Sequence, residues 1–464
     1  MLALRRSTAS FLTLILWITG LNEVAAALSA PGWFYEDLGE HAQNITFSTS
    51  TSTEDYTLYR ALWWHSSRFY GLTDATSGAS GTVKTDFSYN IELTALPTRD
   101  AREFCHNIKA GWVPGVSLVI DMPFPSYPDN FGHWAEALLP VYNVLSQEGW
   151  KQSLPHGVEP VLDAIVLVNT QREQLSGLAW VWEVLKLAVA GSVRPPRQLP
   201  PVLFYDELNA VSGDAWLGFQ VALVAADRYA RSDGRGGFAS EELGRRFRTA
   251  AYSAAGLPLP ATAPRTITLL TAVDAEEVTN GEELAAAMVD VGANLDLAVR
   301  PYTATPRAPL ASYVATMART GVLVSRHGPM LANAAFLPPG AVVVELLPYN
   351  WEWQGISRAY VNLTRTLGDV HHFAWRAGSP RWAVFGEGEE RYATWTAQEC
   401  SSRECLDVNA RAGMIADAAT IQELLYEVLP PVLKGGPGAS VAALARPWPT
   451  LEKPSGGTGL WWDK

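Results

Sequence analysis

The chain has little cysteine, no surplus of basic charge and few long apolar runs. Its three cysteines, Cys105, Cys400 and Cys405, are too few and too scattered for a structural metal site. The short spacing of Cys400 and Cys405 can close a small loop, which leaves Cys105 free and buried. Lysine and arginine number 35 against 47 acids, giving a net charge of -12, so a nucleic-acid partner is not expected. Beyond residues 1–30, no run approaches the ~20 apolar residues that cross a bilayer.

What is present points to a folded protein of the secretory lumen. Hydrophobic residues make up 48% of the 464 and charged residues 18%, enough for sizeable cores in two or three domains. Arg5 and Arg6 precede an apolar run from Phe11 to Leu21, which Asn22 and Glu23 end. Residues 1–30 therefore read as a signal peptide or a signal anchor, the latter making an N-terminal membrane anchor. Either places the rest in the Golgi or endoplasmic reticulum. Asn44 and Asn362 begin N-glycosylation sequons usable there. The 18 tryptophans suit stacking on sugars as well as ordinary cores.

The chain is organised around residues 322–348. Residues 321–325 read as a buried parallel strand, Arg326-His327-Gly328 as a tight loop, and Pro329 as the first turn of a helix through Phe336. Pro338-Pro339-Gly340 stops that helix, and residues 341–346 form a second buried strand bearing one charge, Glu345. Such a strand–loop–helix suits a diphosphate, which needs close backbone approach, free N–H groups and positive charge. Ser325, Arg326, His327 and Gly328 are the candidate donor-binding residues. Glu345 stands where related folds hold ribose hydroxyls. The same residues also fit an ordinary buried βαβ unit.

A second block lies at 130–140. Asn130 is a good N-cap, and Phe131, Trp134, Leu138, Val141 and Leu145 mark the apolar face of a helix. His133 and Glu136, three apart, can lie together on its surface. Either could be the base that takes a proton from an acceptor hydroxyl.

The two blocks, together with residues 349–375, resemble glycosyltransferase family sixty-one. That family includes transferases of GlcNAc to EGF domains and to O-mannose, and plant xylosyl- and arabinosyltransferases. The likeness spans roughly residues 115–376, with Val202 to Tyr205 and the pair Phe247-Arg248 falling in place. It implies an α/β protein of GT-B architecture, with two Rossmann-like lobes facing across a cleft. It also implies an inverting transfer of GlcNAc, xylose or arabinose from a UDP-sugar to a glycoprotein or polysaccharide hydroxyl. No Asp-x-Asp pair follows an expected strand, so neither a metal nor another cofactor is expected.

One departure from the family stands after the strand expected at 265–270. Asp274, Glu276, Glu277, Glu282 and Glu283 occupy the segment where the family carries arginines. This leaves open a second reading, a non-catalytic lumenal protein that binds carbohydrate or nucleotide. The expected organisation is a stem and N-terminal extension at 31–115, an acceptor-side lobe at 116–258, a donor-side lobe at 259–432 and a flexible tail at 433–464.

Overall fold

The computed structural model describes residues 46–449, apart from 76–80, 85–91, 109, 123–126, 195–198, 205, 209–214, 226–236, 273–277, 305–306, 352–355, 396–398 and 402. The candidate leader, Asn44, Asp274, Glu276, Glu277 and the end of the tail lie outside the described residues. The chain divides into two compact units. The first holds residues up to 125, 147–172 and 190–226, and the second holds 126–146, 173–189 and everything from 227.

The first unit is built on a mixed sheet. Its strands are β1 (Thr49–Ser52), β2 (Tyr56–His65), β3 (Arg68–Asp74), β4 (Gly81–Lys84), β5 (Glu92–Thr98), β6 (Ala110–Asp121), β7 (Leu162–Val168), β8 (Val202–Phe204) and β9 (Trp216–Ala225). They run β4-β5-β3-β2-β9-β6-β7-β8, with β1 beside β2. The region expected as a stem and extension thus supplies strands. Residues 62–70 are parts of β2 and β3 joined at Ser66 and Ser67, whose φ of 47° and 64° make the tight turn a hairpin needs. Both faces of the sheet are covered: Tyr59, Val119 and Phe219 pack on one side, and Trp63, Ala61 and Trp112 on the other.

The second unit carries a fully parallel sheet of five strands, β10 (Thr266–Ala272), β11 (Ala298–Ala304), β12 (Val322–Arg326), β13 (Val342–Leu347) and β14 (His371–Arg376). Their order is β11-β10-β12-β13-β14, the doubly wound arrangement that starts at an inner strand and reverses direction. The reversal falls between β10 and β12, and open α/β sheets bind ligands at that point, beyond the strands' carboxyl ends. The α/β class expected from the sequence is what the chain adopts.

Among the helices of this unit are α1 (Phe131–Leu145), α2 (Ala179–Val189), α3 (Glu241–Ala254), α4 (Gly281–Leu295), α5 (Leu310–Met317), α6 (Ala359–Arg365) and α7 (Ala418–Gly435). Strand residues alternate in direction, and this decides what each face meets. Val322, Val324, Val344, Leu346 and Phe373 point to the face packed by α4 and α7. Pro329–Phe336 packs with α1, α3, α5 and α6. The expected helix at 330–336 forms as tight 3-10 turns, the form common in short buried connectors.

α1 and α2 are encoded between strands of the first unit, yet they pack in the second. Their aromatic faces explain it. Phe131 lies against Trp180, Tyr313 and Phe336, with ring centroids 4.7, 5.5 and 6.3 Å away. α3 is fixed by an ion pair of low exposure: Arg248, 1% exposed, donates to Asp369 at 2.8 Å and to the Leu337 carbonyl at 2.8 Å.

Candidate active site

The site is built where β12 ends. Backbone alternation sends Arg326 and His327 in opposite directions. Arg326 pairs in register with Leu346, on the face covered by α4 and α7, and its Nη2 donates to the Ala410 carbonyl at 2.7 Å. His327 leaves on the other face, diagonal to Glu345. The sequence reading had grouped both as donors to one ligand, but adjacent strand residues diverge. Ser325 is also committed, its hydroxyl donating to the carbonyls of Leu270 at 3.3 Å and Arg326 at 3.1 Å. Gly328 is half-buried and extended, at φ 173°.

Glu345 has no exposed surface. One carboxylate oxygen is bonded to Nδ1 of His327 and the other lies 2.8 Å from Nε2 of His372. Burial alone would raise its pKa, but the two imidazoles, His327 first and then His372, outweigh that through charge and hydrogen bonds and hold the carboxyl below its usual range. Both oxygens, expected from the sequence to meet ribose hydroxyls directly, are thereby engaged by imidazole nitrogens. A carboxylate behind one ring nitrogen fixes an imidazole's orientation and tautomer.

The other side of His327 is aromatic. Its ring lies 5.1 Å from Tyr360 and 5.7 Å from Trp351. Among the described residues, Nε2 of His327 has no hydrogen-bond partner.

The α1 block arrives at the same place. The Asn130 side chain caps α1 by accepting from the His133 backbone N–H at 2.9 Å. A methyl group on Gly132 would sit 3.0 Å from Pro329 Cα and 3.1 Å from the Tyr360 hydroxyl. The first turn of α1 therefore touches the loop after His327, within one compact unit. His133 and Glu136 are both half-buried there. Burial pushes the His133 pKa down to about 4. Tyr127, 60% exposed, stands edge-on to His133 at 6.2 Å.

His372 and Thr364 are the residues that the sequence reading passed over. His372 was noticed only as part of a likeness. Its place beside Glu345 depends on the β13–β14 register, which pairs Val343 with His372 and Glu345 with Ala374, so that Glu345 and His372 share a face. Thr364 Oγ1 lies 2.9 Å from Nδ1 of His372. Thr364 also belongs to the Asn362 sequon, and it is fully buried within α6. Near the chain end, Trp448 stands 5.8 Å from His372. Elsewhere in the unit, Cys400 and Cys405 form a disulfide, and Cys105 of the first unit is free and buried.

No protein-family profile matches the chain. A segment of 71 residues is 41% identical to the protein O-linked-mannose beta-1,4-N-acetylglucosaminyltransferase 2 of Tetraodon nigroviridis. The likeness is to a glycosyltransferase. It covers 14% of this chain and 11% of that relative, so it supports sugar transfer in general terms. Among the described residues no helix is long and apolar enough to cross a membrane.

Proposed function

We propose that the chain is an inverting glycosyltransferase of the secretory pathway that moves a sugar from a UDP-sugar to a glycoprotein or polysaccharide hydroxyl. In this reading the protein is of GT-B type, and the parallel sheet of the second unit carries the donor. The observation that carries the proposal is His327, anchored by a buried carboxylate beside the reversal point of that sheet. The short likeness to a GlcNAc transferase points the same way.

The roles follow from chemistry. Nε2 of His327 meets a ribose or sugar hydroxyl of the donor, and the Gly328-Pro329 turn brings backbone close to the diphosphate. Inversion needs one displacement at the anomeric carbon, with a base taking the acceptor proton. A base works best with a pKa near the working pH. His133, held at about 4, is a weak proton acceptor there, and Glu136 stands beside it as the other candidate base. GlcNAc, xylose and arabinose are the donor sugars to screen, and no metal is invoked.

Calorimetry on the secreted chain with UDP, with and without EDTA, tests the reading. Binding that ignores EDTA is expected, and His327→Ala should weaken it at least several-fold. Unchanged affinity in that variant would remove His327 from the donor site. UDP binding with no sugar ever consumed would favour the non-catalytic reading, which the acids at Glu282 and Glu283 motivate.

A further inference from the structure

We propose that His372 is a positioning residue that supplies the counter-charge to Glu345 and so leaves His327 neutral, with the lone pair of Nε2 facing outward. What His327 then acts on rests on the glycosyl-transfer reading; the arrangement of the three side chains does not.

A buried carboxylate is tolerable only with a positive partner and donors to its oxygens. Glu345 has two imidazole neighbours and needs one of them charged. Ionised, it only accepts, so Nδ1 of His327 and Nε2 of His372 must each carry a proton. The two rings differ at their remaining nitrogens. Nδ1 of His372 faces the Thr364 hydroxyl at 2.9 Å. That hydroxyl lies 3.0 and 3.1 Å from the carbonyls of Tyr360 and Val361, which can only accept. With its hydrogen directed at a carbonyl, the hydroxyl offers His372 a lone pair. His372 then donates from both nitrogens and carries the charge.

His327 has no described partner at Nε2 that would hold a second proton there. With Nδ1 protonated and the ring neutral, Nε2 accepts a hydrogen bond or a proton. Among the described residues, the groups facing the pair are Glu345 from β13, Thr364 and Tyr360 from α6, and the rings of Trp351 and Trp448. Of these only Glu345 is an acid, so the balance of charge lies among Glu345 and the two histidines.

The test is long-range ¹⁵N–¹H spectroscopy of the full chain labelled at its 8 histidines, assigned with H327Q and H372Q. The expected pattern is an imidazolium for His372 and a neutral Nδ1–H ring for His327. In H372Q the charge should pass to His327, whose Nε2 gains a proton. Donor turnover by that variant should fall at least tenfold in kcat with KM little changed, and recover as pH rises. A residue that only supports packing would lower activity at every pH alike.

A neutral His372, or an Nε2–H ring at His327 in the unmodified chain, overturns the proposal without any variant. An H372Q spectrum in which His327 is unaltered also overturns it. If the chain turns over no donor, the glycosyl-transfer reading fails, while the spectra still decide the charge arrangement.

Discussion

Glu345 and His133 are both buried titratable groups, and pH acts on both in the same direction. Histidine partners hold the Glu345 pKa below its unfolded value of 4.5, so its stabilisation is present above that value and is lost as pH falls through the folded pKa. The His133 pKa drops from 6.5 to about 4 because burial disfavours the charged ring. Between those values the unfolded chain binds the proton and the folded chain does not, so stability falls as pH drops from 6.5 to about 4. His133→Gln removes that proton-binding difference. Urea midpoints at pH 7, 5.5 and 4 should therefore fall less steeply in this variant, and parallel curves would show that His133 titrates as if exposed.

The contact between α1 and the loop after β12 is made by a residue without a side chain. Gly132→Ala places a methyl group 3.0 Å from Pro329 Cα, which is backbone and cannot swing aside. Overpacking of this kind costs about 1–3 kcal/mol. The variant should show a lowered melting temperature together with weakened UDP binding, since the strained loop adjoins His327. A lowered melting temperature with intact UDP affinity would separate α1 from the donor site.

Element by element, legibility varied with how local the signal was. The signal of α3 is local: Ser240 caps it, and Leu243, Phe247, Ala251 and Tyr252 mark its buried face. β12 and β13 showed as uninterrupted apolar runs, as buried parallel strands do. β9 was overlooked although Trp216–Ala225 is an apolar run of the same kind. Its central place between β2 and β6 is a long-range pairing that no local pattern reports. In the site, His327 and Glu345 were legible as a motif. Their direct bond, and the addition of His372 and Thr364, required the strand register and side-chain alternation.

At the scale of the whole molecule, the candidate site belongs to one of two compact units. A ligand that binds only the folded form stabilises it by about 2.7 kcal/mol at a hundred times its Kd. UDP at that level should slow amide exchange in β12, β13 and α6 while leaving β3 and β5 of the first unit unchanged. Equal protection in both sheets would show that the nucleotide acts on more than the second unit.

The interleaving of the two units also sets a timetable for synthesis. α1 emerges from the ribosome with Phe131 and Trp134 uncovered, and Phe336, which packs on Phe131, follows roughly 200 residues later. At translation speeds of roughly 5–20 residues per second, that is a wait on the order of 10–40 s. Once α2 has emerged, Trp180 covers one side of Phe131, while the sides that meet Tyr313 and Phe336 stay open until the end of the wait. Expression of this protein should therefore depend on chaperone supply during elongation, and cutting the gene near residue 258 would leave α1 and α2 stranded in that state.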